Sequence, residues 1–124
     1  RFQLEEFGGR PLPYFTEESG LRSGLLTSFI DDMYGQEELY LGELAKAEAG
    51  ETILDLHNNL VHLYIYPDLV VIENMWDQSL GADDEAEGPR SCTFLSLVEA
   101  KQLILDWLMA KERWYAERRR LAVN

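Results

Sequence analysis

Residues 60–76, LVHLYIYPDLVVIENMW, decide the fold of this chain. Along 61–66, aliphatic residues alternate with histidine and tyrosine, which is the period-two pattern of a strand with two different faces. Pro67-Asp68 is a turn signal, and the β-branched run after it favours a second strand. The stretch therefore predicts an antiparallel hairpin.

Two further strands are expected on either side of this hairpin. Residues 52–57, TILDLH, repeat the period-two pattern, and Asn58-Asn59 is a dipeptide that tolerates positive φ in a turn. His57 and His62 are then expected to face each other across two strands. Downstream, residues 92–95, CTFL, form a short strand.

Two helices are predicted before the strands. Residues 21–34 carry apolar side chains at helical spacing, and Asp31 and Asp32 are expected on the opposite, polar side. Gly35 suits the left-handed position that follows the end of a helix. Residues 36–49 are predicted to form a second, more acidic helix.

A long amphipathic helix is predicted from Leu97 to about Arg119. Ser96 and Glu99 match a capping box, in which each side chain bonds the backbone amide of the other residue. Because the strands cluster and do not alternate with helices, we predict a single α+β domain over residues 1–124. It would comprise a small, mostly antiparallel sheet of three or four strands packed against the C-terminal helix, with two N-terminal helices.

Two segments are predicted to be irregular. Residues 1–20 contain Gly8-Gly9 and two prolines, Pro11 and Pro13, which push the preceding residues away from helical geometry, so we expect an irregular arm. Residues 77–91, DQSLGADDEAEGPRS, are predicted to form an acidic loop with almost nothing apolar to bury.

Charge is spread unevenly along the chain. Residues 1–100 hold 5 Lys or Arg against 20 Asp or Glu, whereas residues 101–124 hold 6 against 3, and the total is −12. Such a field favours a basic partner and disfavours nucleic acid and anionic membranes. One cysteine, Cys92, cannot form an internal disulfide, and no apolar run approaches the ~20 residues of a membrane span. A cytoplasmic location is therefore expected.

No motif in the sequence points to catalysis. His57 and His62 are the only histidines, and with a single thiol they are expected to be ordinary surface residues of the sheet, not zinc ligands. Residues 83–88 superficially resemble the start of a calcium loop, but Phe94 stands where a bidentate glutamate is needed. Cys92 is expected to be a buried, inert thiol. We expect no enzymatic activity, no cofactor and no metal.

The acidic loop is the leading functional candidate, because it cannot bury itself and would complement a basic surface. The residues expected to contact the partner are Asp77, Asp83, Asp84, Glu85 and Glu87, with Asp31 and Asp32 as a second patch.

Residues 60–77, together with residues 92–107 (CTFLSLVEAKQLILDW), are similar to the C-terminal half of immunity proteins from bacterial contact-dependent growth inhibition systems. Many of these proteins end with a hairpin like that of 61–74, then an acidic loop, then a short strand that runs into a Ser-capped helix. The resemblance covers only these stretches and rests on their pattern; the N-terminal helices do not match.

The resemblance implies a cytoplasmic protein that is not an enzyme and that binds the toxin domain of its own system, often a nuclease. It would cover the active site or the substrate surface of that cognate basic toxin domain. A non-toxin adaptor, or a subunit of a bacterial assembly, would instead bind through an apolar patch around Tyr64, Tyr66 and Trp76. A small hydrolase that uses His57 or His62 is the third alternative.

Overall fold

The computed structural model describes residues 2–18, 20–75 and 91–122. Within these ranges the chain has an α+β fold, as the sequence predicts. Its elements are β1 (Gln3–Phe7), β2 (Arg10–Tyr14), α1 (Gly20–Asp32), α2 (Glu37–Glu48), β3 (Ile53–His57), β4 (Val61–Tyr66), β5 (Leu69–Asn74), β6 (Cys92–Leu95) and α3 (Leu97–Ala122).

The four strands β3 to β6 form one antiparallel sheet in which every strand pairs with its neighbour in the chain. In the central hairpin, Val61 pairs with Asn74 and Tyr66 pairs with Leu69, so Pro67-Asp68 is a two-residue turn. The predicted hairpin is confirmed, although its second strand ends at Asn74 and not at residue 76.

One face of this sheet carries the core. Val61, Leu63 and Ile65 of β4 are at most 2% exposed, and α1 and α3 pack on the sheet, with Trp107 of α3 fully buried. The apolar residues of the period-two pattern in β4 are therefore the buried ones, as expected of a sheet that is covered on one side. The other buried apolar side chains of this cluster are Phe15, Leu25, Leu26, Phe29, Ile30, Met33, Tyr40, Leu44, Ala47, Val70, Ile72, Leu95, Leu97, Ala100 and Ile104.

The start of α3 is capped as predicted. The Glu99 amide donates to the Ser96 hydroxyl over 3.0 Å, and the Ser96 amide donates to the Glu99 carboxylate over 2.9 Å. These two bonds satisfy amides that the first turn of a helix leaves without partners. The helix continues to Ala122, beyond its predicted end.

The prediction of an irregular arm over residues 1–20 is wrong for β1 and β2, which form a hairpin. Gly8 and Gly9 have φ of +65° and +85°, the conformation of a tight two-residue hairpin turn. Pro11 pairs with Glu6 and Pro13 with Leu4, at alternate positions of the ladder. These are the pairs that exchange no hydrogen bonds, so the missing N–H of each proline costs the ladder nothing.

The hairpin is fastened to the rest of the domain by polar contacts. The Arg10 guanidinium lies 2.7 Å from the Asp31 carboxylate and 4.7 Å above the Tyr34 ring. The Thr27 hydroxyl donates to the Pro13 carbonyl over 2.8 Å. Both contacts join β2 to α1 or to the turn that follows it.

Asp32 does not lie on a polar side of α1, so that prediction is wrong. Its side chain is buried, and its carboxylate accepts hydrogen bonds from the backbone amides of Asn59 at 2.8 Å and Val61 at 3.1 Å. The turn between β3 and β4 has amides that point into the protein and need an acceptor. A helical wheel cannot reveal this requirement, because it arises from a turn about 27 residues away.

Glu37 is a second buried carboxylate. It accepts hydrogen bonds from the Trp107 indole at 2.9 Å and the Lys111 ammonium at 2.6 Å, and so joins α2 to α3. Burial by itself raises the pKa of the Glu37 carboxyl, but the bonds from Lys111 and Trp107 outweigh it and hold this pKa below its usual range.

Replacing Asp32 by alanine should lower the free energy of unfolding by about 2–4 kcal/mol, because the buried Val61 amide and the part-buried Asn59 amide lose a charged acceptor. Asp31→Ala is the matched control, since it removes a partly exposed ion pair worth under about 1 kcal/mol. Urea unfolding of both variants measures the difference. An equal loss in the free energy of unfolding in both variants would show that the contacts of Asp32 stabilise the fold no more than the Asp31 ion pair does.

Replacing Glu37 by glutamine should make stability less dependent on acid pH. A carboxyl with a depressed folded-state pKa contributes fully above its unfolded value of about 4.3, and this contribution is lost as pH falls through the folded-state pKa. The stability gap between wild type and Glu37→Gln should therefore be largest at neutral pH and should narrow in acid. Urea titrations from about pH 7 to about pH 3 measure the gap; a constant gap would contradict this assignment.

Candidate functional site

The side of the four-stranded sheet that points away from the core is left uncovered by the described helices and strands, and we call it the open face. Its members are the strand residues that alternate with the buried ones. They are His57 of β3, His62, Tyr64 and Tyr66 of β4, Leu69, Val71 and Glu73 of β5, and Cys92 and Phe94 of β6.

The register of the strands places these side chains in rows. His57, His62, Glu73 and Cys92 stand side by side across the four strands. The two imidazole rings lie 5.2 Å apart, which confirms the predicted juxtaposition of the histidines. Tyr64 lies in the next row, between β3 and the Val71 of β5.

Tyr64 is the centre of a contact network on this face. Its ring stacks on the His62 ring with centroids 4.6 Å apart and planes within 7° of parallel. Its hydroxyl donates to the Glu73 carboxylate over 2.9 Å. The stack and the hydrogen bond fix three side chains in place, so this part of the surface is ordered before any partner arrives.

The open face is apolar and negative at once. Phe94 is 52% exposed, and Val71 lies beside it in the same row. The strand residues of this face include the carboxylate of Glu73, and Asp55 lies 3.7 Å from the His57 imidazole, but they include no Lys or Arg. An aromatic surface with carboxylates and no cations is suited to a partner that offers apolar and basic groups.

The open face does not bring the Cys92 thiol within reach of an imidazole. Cys92 and His62 share a row but are separated by β5, and two strand spacings amount to about 9.6 Å. A nucleophile and its base need hydrogen-bond distance. Over the described ranges, no group of three or more His, Cys, Asp or Glu side chains is placed to hold a metal ion.

Cys92 is exposed, so the prediction of a buried thiol is wrong. Strand β6 buries Thr93 and Leu95 instead, and turns Cys92 and Phe94 outward. Thr93 can be buried because the Arg22 guanidinium of α1 donates to its hydroxyl and to the Phe94 carbonyl. The sequence of β6 does not show which of its residues face the core, because apolar and polar side chains alternate only weakly over its four positions.

Asp31 and Asp32, which were predicted to form a second acidic patch for the partner, do not form an accessible patch. Asp32 is buried in its turn-capping role, and Asp31 is paired with Arg10. They line a polar hollow of about 480 Å³ together with Asn58, in which Arg10 pairs with Asp31 and backbone amides bond Asp32. The predicted loop contacts Asp77, Asp83, Asp84, Glu85 and Glu87 lie outside the described residues.

The attachment points of the acidic segment are described. The Asn74 amide donates to the Ser91 carbonyl over 2.8 Å, so the chain leaves β5 and returns to β6 at one place. The Met75 amide donates to the Leu60 carbonyl over 3.1 Å, which ties this place to the turn before β4. Both bonds lie at the end of the sheet where His62 and Glu73 form their row.

A groove of about 580 Å³ runs between the N-terminal hairpin, α1 and α3. Its charged side chains include Glu18, Arg22 and Asp106. The Arg22 guanidinium bonds the Glu18 carboxylate at 2.8 Å and also holds β6, so it serves the fold. We therefore attribute the groove to the packing of these elements and do not treat it as the functional site.

Sequence reasoning identified part of the open face and missed part of it. The alternation in β4 already places Tyr64 and Tyr66 on one side. The roles of Val71 and Glu73 were missed, because the run 69–72 is apolar without alternation. Only the register with β4 and β6 shows which of its residues face outward.

No family model, curated protein or solved structure matches this chain. Along the described part of the chain, none of the helices has both the length and the apolar composition that crossing a bilayer requires.

Cys92 provides a direct test of how this face is exposed. A thiol reagent such as DTNB should react with the folded protein, and the rate should not change with urea below the unfolding transition, because no opening is needed to reach an exposed thiol. The measurement follows absorbance together with unfolding by circular dichroism. A thiol that stays silent until the protein unfolds would contradict this placement.

Proposed function

We propose that this chain is a cytoplasmic immunity protein that binds and neutralises a cognate basic toxin domain, of nuclease type, by covering its active site or substrate surface. The observation that carries the proposal is the pairing of a net charge of −12 with an open face whose strand residues include Glu73 but no Lys or Arg. A surplus of that size exceeds what solubility requires of a small domain.

The chemistry of a nuclease explains why an acidic inhibitor is effective. A nuclease holds phosphates in a groove lined by Lys and Arg, and carboxylates can take the positions of those phosphates. Opposite fields also steer the two proteins together, and association can approach ~10⁸–10⁹ M⁻¹s⁻¹ at low salt. Rapid capture matters for a protein that has to stop a toxin before it cuts nucleic acid.

The open face and the acidic segment supply complementary parts of such an interface. Tyr64 and Phe94 give rigid aromatic area, the kind of side chain that is enriched in protein interfaces. The segment 76–90 begins and ends beside the His62–Glu73 row, because Met75 and Ser91 are fixed there. We expect the acids of this segment to supply a charged rim that steers and orients the partner.

Neutralising the loop acids tests the electrostatic part of this proposal. The variant Asp83→Ser, Asp84→Ser, Glu85→Gln, Glu87→Gln should associate about tenfold or more slowly at low salt, with a flatter dependence on ionic strength. The measurement is stopped-flow binding to a catalytically inactivated C-terminal domain of the large secreted protein that this proposal expects to be encoded beside this chain.

The matched control removes four exposed carboxylates elsewhere: Glu5→Gln, Glu6→Gln, Glu38→Gln and Glu48→Gln. It changes the net charge by the same amount but leaves the end of the sheet unaltered, so its association rate should fall much less. Equal effects of the two variants would show that the loop is not part of the interface. The absence of a gene for a large secreted protein next to the gene of this chain would contradict the toxin as partner.

The second candidate function is a non-toxin adaptor or a subunit of a bacterial assembly. Tyr64 and Tyr66 lie together on the open face, which favours an apolar contact, while Trp76 lies outside the described residues. Tyr64→Ser distinguishes the two when the native partner is isolated from its host. A stable complex of several subunits that is lost with Tyr64→Ser and insensitive to the loop variant indicates the adaptor.

A further inference from the structure

A stripe of exposed apolar residues runs along the side of α3 that is turned away from the core. Val98 is 74% exposed, Leu105 is 38% exposed and Met109 is 61% exposed, and Ala116 continues the stripe. At 3.6 residues per turn these four positions fall within about 40° around the helix axis. The buried positions of α3, which include Trp107, lie on the opposite side.

The spacing of this stripe is symmetric. From Val98 to Leu105 is seven residues, from Leu105 to Met109 four, and from Met109 to Ala116 seven again. A two-fold axis that is perpendicular to α3 and passes at the level of residue 107 therefore places the stripe of a second, antiparallel helix in register with the first. Val98 then meets Ala116 of a second copy, and Leu105 meets Met109, as in an isologous interface.

The charges that flank the stripe are complementary under the same axis. Lys101 comes within one residue, about 1.5 Å, of the level of Glu112 of the second copy. Along the other flank, Arg113 comes opposite Gln102, whose amide donates to the Asp106 carboxylate over 2.9 Å. In the described part of the chain, the ion pairs of α3 involve Lys111 and Arg120 but neither Lys101 nor Glu112.

The distribution of charge along α3 selects the antiparallel orientation. Residues 97–109 sum to −1 and residues 110–122 sum to +3. A parallel pair would place the two basic halves together, whereas an antiparallel pair places each basic half against an acidic half. The basic end of one α3 then extends toward Glu18 and Glu99 at the start of the other.

We propose that a second copy of this chain docks on α3, antiparallel, through Val98, Leu105, Met109 and Ala116. The paired stretch is about 27 Å long and each copy contributes four apolar side chains to it, so the dimer is weak and depends on concentration. This surface shares no residue with the open face, and the proposal is independent of the toxin.

Charge reversal on the flanks tests the proposal. Lys101→Glu and Glu112→Lys should each weaken dimerisation about tenfold or more, because two symmetric attractive pairs become repulsive. When the two variants are mixed, the carboxylate introduced in one faces the ammonium introduced in the other, and dimerisation should return as a heterodimer. Asp55→Lys, which reverses one exposed charge on β3, is the control and should leave dimerisation unchanged.

Sedimentation velocity from about 10 μM to about 500 μM measures the association, since small interfaces fall in this range of affinity. Met109→Glu should abolish it while the circular dichroism spectrum stays the same, because this side chain is exposed in the monomer. A wild-type protein that stays monomeric throughout would overturn the proposal. So would a dimer that the flank variants do not weaken, or a mixture that does not recover.

Discussion

The described helices that contact the four-stranded sheet pack on the same face of it, and this one-sided burial determines the rest of the molecule. Inward-pointing aliphatic residues of β4 and β5 are covered by α1 and α3, so their neighbours in each strand are left to face outward. A sheet of this kind stabilises the fold with one side and presents ordered side chains with the other. The stacked His62 and Tyr64 are a direct product of that division.

The parts of the fold that could be predicted are those that depend on neighbouring residues. The alternation in 61–66 and the Ser96–Glu99 box are local patterns, and both correspond to what the chain forms. The parts that could not be predicted depend on distant partners. Asp32 is buried because a turn between β3 and β4 needs an acceptor, and Thr93 is buried because Arg22 reaches it from α1.

The candidate site was predicted only in part for the same reason. Its tyrosines are visible in the sequence of β4, but the row that joins His57, His62, Glu73 and Cys92 exists only after four strands have taken their register. The N-terminal hairpin was missed because its prolines suggest irregular structure, and only the register shows that they occupy positions without hydrogen bonds. Charge, by contrast, is a property of composition and needed no structure.

The order of the elements along the chain also affects how the protein is made. Each strand of the large sheet pairs with its sequence neighbour, so the β3–β4 and β4–β5 contacts close short loops and form at low entropic cost. The contact between Trp107 and Glu37 spans 70 residues and forms only when the last helix docks. During synthesis the sheet therefore emerges before α3 can cover its share of the inner face, next to α1. A chain that stops before Leu97 would leave that apolar share exposed and be prone to aggregation or proteolysis.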